Sequence, residues 1–133
     1  MTIKYSTTLR NNRLNILDGA FNSGKLRIYS GAPPASVDDA ATGTMLVELS
    51  LPSTAMAPAS GGTKSKAGTW SGVAAASGNA GYFRLIDTTF NFATIQGTVG
   101  LAGSSPDLIV DAVAISNGQA FSVTSFTITA GQA

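Results

Sequence analysis

From Lys25 to the end of the chain, apolar residues fall at every second position in short runs, and glycine, proline or asparagine separates the runs. In 25–29, for example, Leu26 and Ile28 alternate with polar or aromatic neighbours. A period of two is typical of a strand that buries one face. Repeated over about seven segments, it predicts an all-β fold, a two-layer antiparallel β-sandwich of which the jelly roll is one form.

The N-terminal residues follow a helical period instead. Hydroxyl side chains at 6–8 offer an N-cap, and Asn-Ser-Gly at 22–24 ends the pattern, so we expect one short N-terminal α-helix over about 8–22. Leu14, Leu17 and Phe21 share one side of this helix and should dock it onto the sheet. The side that faces water is predicted to carry Arg10, Asn11, Asn15 and Asp18.

Residues 53–68 form the longest stretch without a clear period and are rich in alanine, serine and glycine. Loops of this length are usually functional or mobile. We therefore interpret the segment as an extended arm or long loop that lies along a neighbouring subunit, where strand addition would supply backbone hydrogen bonds. The alternative is an ordinary surface loop.

The strongest turn signal lies near the C-terminus. Asn117-Gly118 suits a two-residue type I′ turn, because both residues tolerate a positive φ. It predicts a C-terminal hairpin over about 107–129, with Val110 opposite Ser125 and Ala114 opposite Phe121. Neither face of this hairpin is cleanly polar, so we expect both to be at least partly covered.

The composition argues for one folded domain, 1–133, that performs no catalysis. The chain has no cysteine and no histidine, which excludes disulfides, Cys/His zinc sites and a Ser-His-Asp triad. Asp38-Asp39 is the one adjacent carboxylate pair, and no Ca²⁺-binding pattern surrounds it. The sequence therefore predicts no enzyme activity, no cofactor, no bound metal and no small-molecule substrate.

Charge is sparse and unevenly placed. Only 11% of residues are charged and the net charge is +1, yet residues 1–34 carry five basic side chains against one acidic. A basic face could meet an acidic protein surface, whereas the plainer reading is ordinary solvation. Nucleic-acid binding is not expected, because the basic residues are few and lack an aromatic pattern. The residues predicted at a protein interface are Arg10, Arg13, Lys25, Arg27, Met56, Pro58, Lys64 and Lys66.

The apolar runs are short throughout the chain. The longest, such as 108–110, fall far below the roughly 20 residues of a membrane helix. No apolar segment of a secretory signal follows Met1. The sequence therefore predicts neither a membrane span nor an export signal.

Several segments together carry a resemblance to a known class of proteins. They are Lys25-Leu26-Arg27-Ile28-Tyr29-Ser30-Gly31-Ala32-Pro33-Pro34, Leu46-Val47-Glu48-Leu49, Gly81-Tyr82-Phe83-Arg84-Leu85-Ile86-Asp87, Ile95-Gln96-Gly97-Thr98-Val99-Gly100 and Val123-Thr124-Ser125-Phe126-Thr127-Ile128-Thr129. In this order, after a basic helix, they resemble small structural virion proteins of tailed bacteriophages and prophages.

The resemblance implies a capsid decoration or cement protein, made in the host cytoplasm and placed on the capsid surface of the virion. Its implied partners are further copies of itself, as a dimer or trimer, and the major capsid protein. The alternatives are a head-fibre, collar, tail or baseplate component, or a carbohydrate-binding module for host attachment. Exposed aromatic side chains would serve the last role, and Trp70 and Tyr82 are the candidates, although Trp70 is better explained as a core residue.

Overall fold

A computed structural model describes residues 3–87 and 92–131 of the chain. Two short helices precede the strands, so the prediction of an all-β fold with a short N-terminal helix is confirmed. The helices are α1 (Thr7–Asn15) and α2 (Asp18–Phe21), and the strands are β1 (Lys25–Ser30), β2 (Met45–Ser50), β3 (Thr63–Ser65), β4 (Ser71–Val73), β5 (Gly78–Asp87), β6 (Phe92–Gly100), β7 (Leu108–Val110), β8 (Ala114–Ile115) and β9 (Ala120–Thr129).

The single helix expected over 8–22 is interrupted at 16–17. Ser6 caps α1, because its hydroxyl accepts a hydrogen bond from the Leu9 backbone N–H at 3.1 Å. At the interruption a backbone N–H donates to the carbonyl three residues earlier instead of four, as in the 3.0 Å hydrogen bond from Leu17 N–H to the Leu14 carbonyl. This pattern tightens the turn. Leu14 and Phe21 are buried as predicted, and Leu17 packs against the core. Neither helix in the described residues has the length and hydropathy to cross a membrane.

The strands follow the order β2-β1-β5-β6-β7-β9-β3, with β4 also paired to β9 and β8 to β5. All pairs are antiparallel except β6–β7, which is parallel. The result is one mixed sheet that curls into a half-barrel. The two-layer antiparallel arrangement is not confirmed, because these strands form one connected path and one of the pairs is parallel.

The curl brings the two arms of the sheet around a common core. Near the closure, the Ala75 N–H just after β4 donates to the Leu46 carbonyl of β2 at 2.8 Å. Inside, Phe126 lies 5.6–5.9 Å between ring centroids from three other aromatic rings, in both tilted and edge-on geometries. Those rings belong to Phe21, Trp70 and Phe83. The helices therefore close the core through Phe21.

The outer face of β1 and β5 is covered by the loop 31–44. Tyr29 and Tyr82 stack with their centroids 5.0 Å apart, and the Tyr82 hydroxyl donates to the Thr42 carbonyl at 2.6 Å. Gly81 allows this loop to approach, since a Cβ at Gly81 would collide with the Gly31 carbonyl. Residues 82–86 of β5 are thus buried on both faces.

The C-terminal hairpin was predicted in the wrong register. Gly118 has a φ of +85° but Asn117 does not have a positive φ, so the turn is not type I′. Val110 pairs with Val123 rather than Ser125. Residues 114–115 leave β9 altogether and pair with the start of β5, so that Ala114 faces β5 and not Phe121. Local turn preference is overridden by pairing with a distant strand.

Candidate functional site

The segment 53–68 packs against its own chain and is not an arm. Asn11 and Asn15 accept hydrogen bonds from the backbone N–H groups of Gly62 and Ala59, at 2.8 and 2.9 Å. Asn22 accepts one from Ala55 at 3.0 Å. These bonds tie the segment along the helices and allow β3 to pair with β9. The predicted water-facing role of Asn11 and Asn15 is therefore wrong.

Two predicted interface residues of this segment lie inside the protein. Met56 is in the core, and the Lys64 side chain is fully buried. The Lys64 ammonium donates to Asn15 Oδ1 at 3.0 Å and to the Ala57 carbonyl at 2.9 Å. It also lies 2.9 Å from Asp18 Oδ1, which forms an ion pair without hydrogen-bond geometry. Met56 and Lys64 are thus structural, because no partner can reach them.

The other two candidates of the segment lie nearer the surface. Pro58 is exposed. Lys66 is half-buried, and its ammonium donates to the Gly68 carbonyl at 2.8 Å. Of the four, only these two could contact another molecule.

Replacing Asn11 with alanine should lower the free energy of unfolding by about 1–2 kcal/mol, because the buried Gly62 N–H would lose its acceptor. Cleavage within 53–68 by a protease should accelerate in parallel. Urea unfolding and limited proteolysis measure both effects. The neighbouring exposed Asn12 provides the control, and Asn12→Ala should behave as the unchanged protein. Equal behaviour of the two variants would contradict the tethering role of Asn11.

The four basic candidates of the N-terminal part are each held by different groups. Arg10 donates to the Ala130 carbonyl at 3.3 Å and to Thr7 Oγ1 at 3.4 Å, and the guanidinium of exposed Arg13 lies 5.1 Å from the centre of the Tyr5 ring. These contacts attach both arginines to the region around α1.

On the sheet, Lys25 donates to Ser50 Oγ at 2.6 Å and Arg27 to Glu48 Oε2 at 2.7 Å, both across the β1–β2 pair. The hydrogen bond that Arg27 donates to Glu48 raises the pKa of Arg27 above its ordinary value. Part of the predicted basic face is therefore neutralised within the chain, and Arg13 is the basic candidate left most open to a partner.

The Arg27–Glu48 pair should contribute little to stability, because both side chains are about one-third exposed. We expect Glu48→Gln to lower the free energy of unfolding by about 0.5 kcal/mol in low salt and by less in 1 M NaCl. Asp38→Asn, which removes the same charge at an exposed site, should change neither value. A salt-independent loss above about 2 kcal/mol would be incompatible with a screened surface pair.

The aromatic residues considered for carbohydrate binding are both buried. Trp70 packs in the core and its indole N–H donates to the Ala55 carbonyl at 3.1 Å. Tyr82 is fully buried beneath the loop 31–44. Neither ring can serve as an exposed stacking platform, so this pair of residues does not favour a carbohydrate site. Among the described residues there is also no group of three or more side chains suited to hold a metal ion.

A concave site lies in a gap between β6 and β9. β7 lies between these strands but has only three residues, whereas β6 has nine and β9 has ten. Before Leu108 the two long strands continue without a described strand between them. Pro106 helps to end β7 there, because proline lacks the N–H that a strand needs. The gap is therefore one strand wide, and we call it the β6–β9 groove.

The groove has a volume of about 480 Å³, an apolar floor and polar sides. Its lining residues are Leu17, Phe83, Ile95, Gln96, Asp107, Phe126, Thr127, Ile128 and Thr129. Among them Asp107 carries the charge, and its carboxylate accepts hydrogen bonds from the Thr98 N–H at 2.9 Å and the Thr98 hydroxyl at 3.1 Å.

Both walls of the groove present strand edges. The Phe126 carbonyl accepts a hydrogen bond from Lys66 and the Ala130 N–H donates to Gly62, both on the β3 side of β9. Successive residues of a strand direct their backbone N–H and C=O groups to opposite edges, so those of Thr127 and Thr129 point to the groove. On β6 the Thr98 N–H points to Asp107, and alternation places the Gln96 backbone groups on the same edge. No described strand pairs with these edges inside the groove. The site is therefore suited to an extended polypeptide.

No local pattern in the sequence marks this groove. It arises from the difference in length between β7 and its two neighbours, which depends on pairing between residues far apart in the chain. The outer side of the helical region is the second open surface, where Leu9 and Ile16 are 45% and 76% exposed and Ile3 is 68% exposed. Comparison of the chain with protein-family models, with curated proteins and with solved structures finds no match.

Proposed function

We propose that the chain is a structural protein of a tailed-phage virion, a decoration protein that binds the outer surface of the head and stabilises it through repeated protein–protein contacts. The observation that carries the proposal is the β6–β9 groove, whose two free strand edges suit the backbone of another protein segment. The resemblance of the strand sequences to small virion proteins supplies the setting.

The exposed apolar side chains near α1 support the same role. Leu9 and Ile16 are seven positions apart and lie on one side of the helical region, beside the exposed Arg13. An apolar stripe with a cation beside it suits contact with a protein surface that carries acidic groups. Because many copies sit on one shell, modest individual contacts would add up to firm attachment.

The test is co-sedimentation with heads assembled from the major capsid protein of the same phage or prophage. The unchanged protein should bind in fixed proportion to the capsid protein and raise the temperature at which the heads open. Binding to isolated tails but not to heads would contradict the decoration role and favour a location in the tail or baseplate. Failure to bind either particle would contradict a virion role.

A pair of variants at one position links binding to the groove. Thr127→Pro removes a backbone N–H that faces the groove and leaves the β3 ladder intact, because that ladder uses the neighbouring residues. We expect at least a tenfold loss of head binding, with thermal unfolding confirming that the variant is folded. Thr127→Val keeps the N–H and should bind as before. Equal binding by both variants would show that attachment to the heads does not depend on the groove.

A further inference from the structure

We propose that the β6–β9 groove is filled by the N-terminal segment 1–5 of a second copy of this chain, which adds as a strand and links the copies. This inference rests on the proposed function, since it names the partner of the same groove. In the single chain the described residues of the segment, 3–5, lie outside the groove, because none of them lines it and Ile3 is 68% exposed.

The sequence of the segment matches the groove. In Met-Thr-Ile-Lys-Tyr, the apolar residues Met1, Ile3 and Tyr5 alternate with Thr2 and Lys4. This period of two is typical of a strand with one buried face, and isoleucine, threonine and tyrosine favour strands. Five residues extend about 17 Å, enough to pair along the free edge of β9 at 127–129.

The two faces of such a strand find suitable surroundings. The inner face of the sheet supplies Phe83, Phe126 and Ile128 as the groove floor, against which the apolar side of the segment can pack. The outer face has the exposed Thr127 and Thr129, which suit the polar side. Lys4 complements Asp107, the charged residue among those that line the groove.

Backbone bonding favours a strand over a helix or a side chain as the occupant. β6 and β9 run antiparallel to each other, since β7 is parallel to β6 and antiparallel to β9. An inserted strand is therefore parallel to one wall and antiparallel to the other, and it can bond to both. The Gln96 backbone on one side and those of Thr127 and Thr129 on the other provide the donors and acceptors.

Because the chain has no cysteine, introduced cysteines report this contact without background. Lys4→Cys protein is mixed with mass-labelled Thr127→Cys protein and oxidised, and the mixed disulfide dimer is measured by mass spectrometry. We expect its yield to exceed tenfold that of a control mixture in which Asn117→Cys, exposed at the distant turn, replaces Thr127→Cys. Equal yields would overturn the proposal.

A double variant, Lys4→Cys with Thr127→Cys, separates insertion between copies from insertion within one chain. Dimers linked by disulfides support the proposal, whereas an intramolecular disulfide that dominates at every concentration overturns it in favour of the chain's own segment.

Substitutions within the segment give an independent readout by sedimentation. Ile3→Asp places a charge on the floor-facing side and should weaken self-association at least tenfold, while Thr2→Asp places the same charge on the outer side and should weaken it much less. An equal loss of self-association in both variants would contradict the prediction that Ile3 faces the groove floor and Thr2 faces outward.

Failure of this inference is distinguishable from failure of the proposed function. If the cysteine pairs give no cross-link while unchanged protein still binds heads and Thr127→Pro does not, the groove takes a capsid segment. The second-copy proposal is then wrong and the decoration role stands.

Discussion

Replacing Lys64 with alanine is expected to lower the free energy of unfolding by about 3 kcal/mol. Its fully buried ammonium satisfies Asn15 Oδ1 and the Ala57 carbonyl, and removal leaves both acceptors without that donor. The value lies at the low end for a broken buried ion pair, because the Asp18 side chain is 40% exposed and its carboxylate keeps contact with water, although Oδ1 is buried. Urea unfolding at neutral pH measures the change.

Lys66 is the matched control, two residues further along. Its ammonium bonds only to the Gly68 carbonyl among the described groups, so Lys66→Ala should cost less than about 1 kcal/mol. Lys64→Met keeps most of the apolar stem and should recover part of the loss, but not the hydrogen bonds. If the free energies of unfolding of Lys64→Ala and Lys66→Ala differed by less than about 0.5 kcal/mol, roughly the size of a neutral surface change, the buried hydrogen bonds of Lys64 would not have the stabilising role described.

Phe126→Ala is expected to cost about 4 kcal/mol, since it leaves a cavity where three aromatic rings meet. The ring lies 5.9 Å from that of Trp70, so the near-ultraviolet circular dichroism of the single tryptophan should change as well. Guanidinium unfolding and the spectrum of the folded variant measure the two effects.

Thr124→Ala on the same strand is the control for Phe126. Thr124 is exposed, and its replacement should change stability by no more than about 0.5 kcal/mol. Because Phe126 also forms part of the groove floor, Phe126→Ala should weaken binding in the groove even in conditions where the variant is folded. A loss of stability similar to that of Thr124→Ala would show that the aromatic cluster is not central to the core.

The alternation in β1 shows how far local pattern reaches. Leu26 and Ile28 were expected on one face, and both are completely buried. Lys25 and Arg27 face the other side, but their partners Ser50 and Glu48 belong to β2 and were not predicted. A strand's period reports which side chains share a face, whereas their neighbours across the sheet depend on which strand pairs there and in which register.

Polar residues were the least predictable part of the molecule. Asn11 and Asn15 have the composition of a solvated helix face, yet their side chains accept backbone N–H groups from a segment more than forty residues away. Lys64 has the appearance of a surface residue and is fully buried. A polar side chain is stable inside a protein once it is hydrogen-bonded, and sequence position alone does not indicate whether a partner will be present.

The sequence by itself determined the all-β class, the short N-terminal helical region and the burial of Leu14, Phe21, Leu26 and Ile28, because periodicity and capping are properties of a few adjacent residues. Only the tertiary structure decided the strand order, the parallel β6–β7 pair, the docking of 53–68 and the β6–β9 groove. Each of these depends on contacts between distant parts of the chain. A strand edge offers the same backbone donors and acceptors to any segment, so the tertiary structure decides which segment pairs with it and in which register.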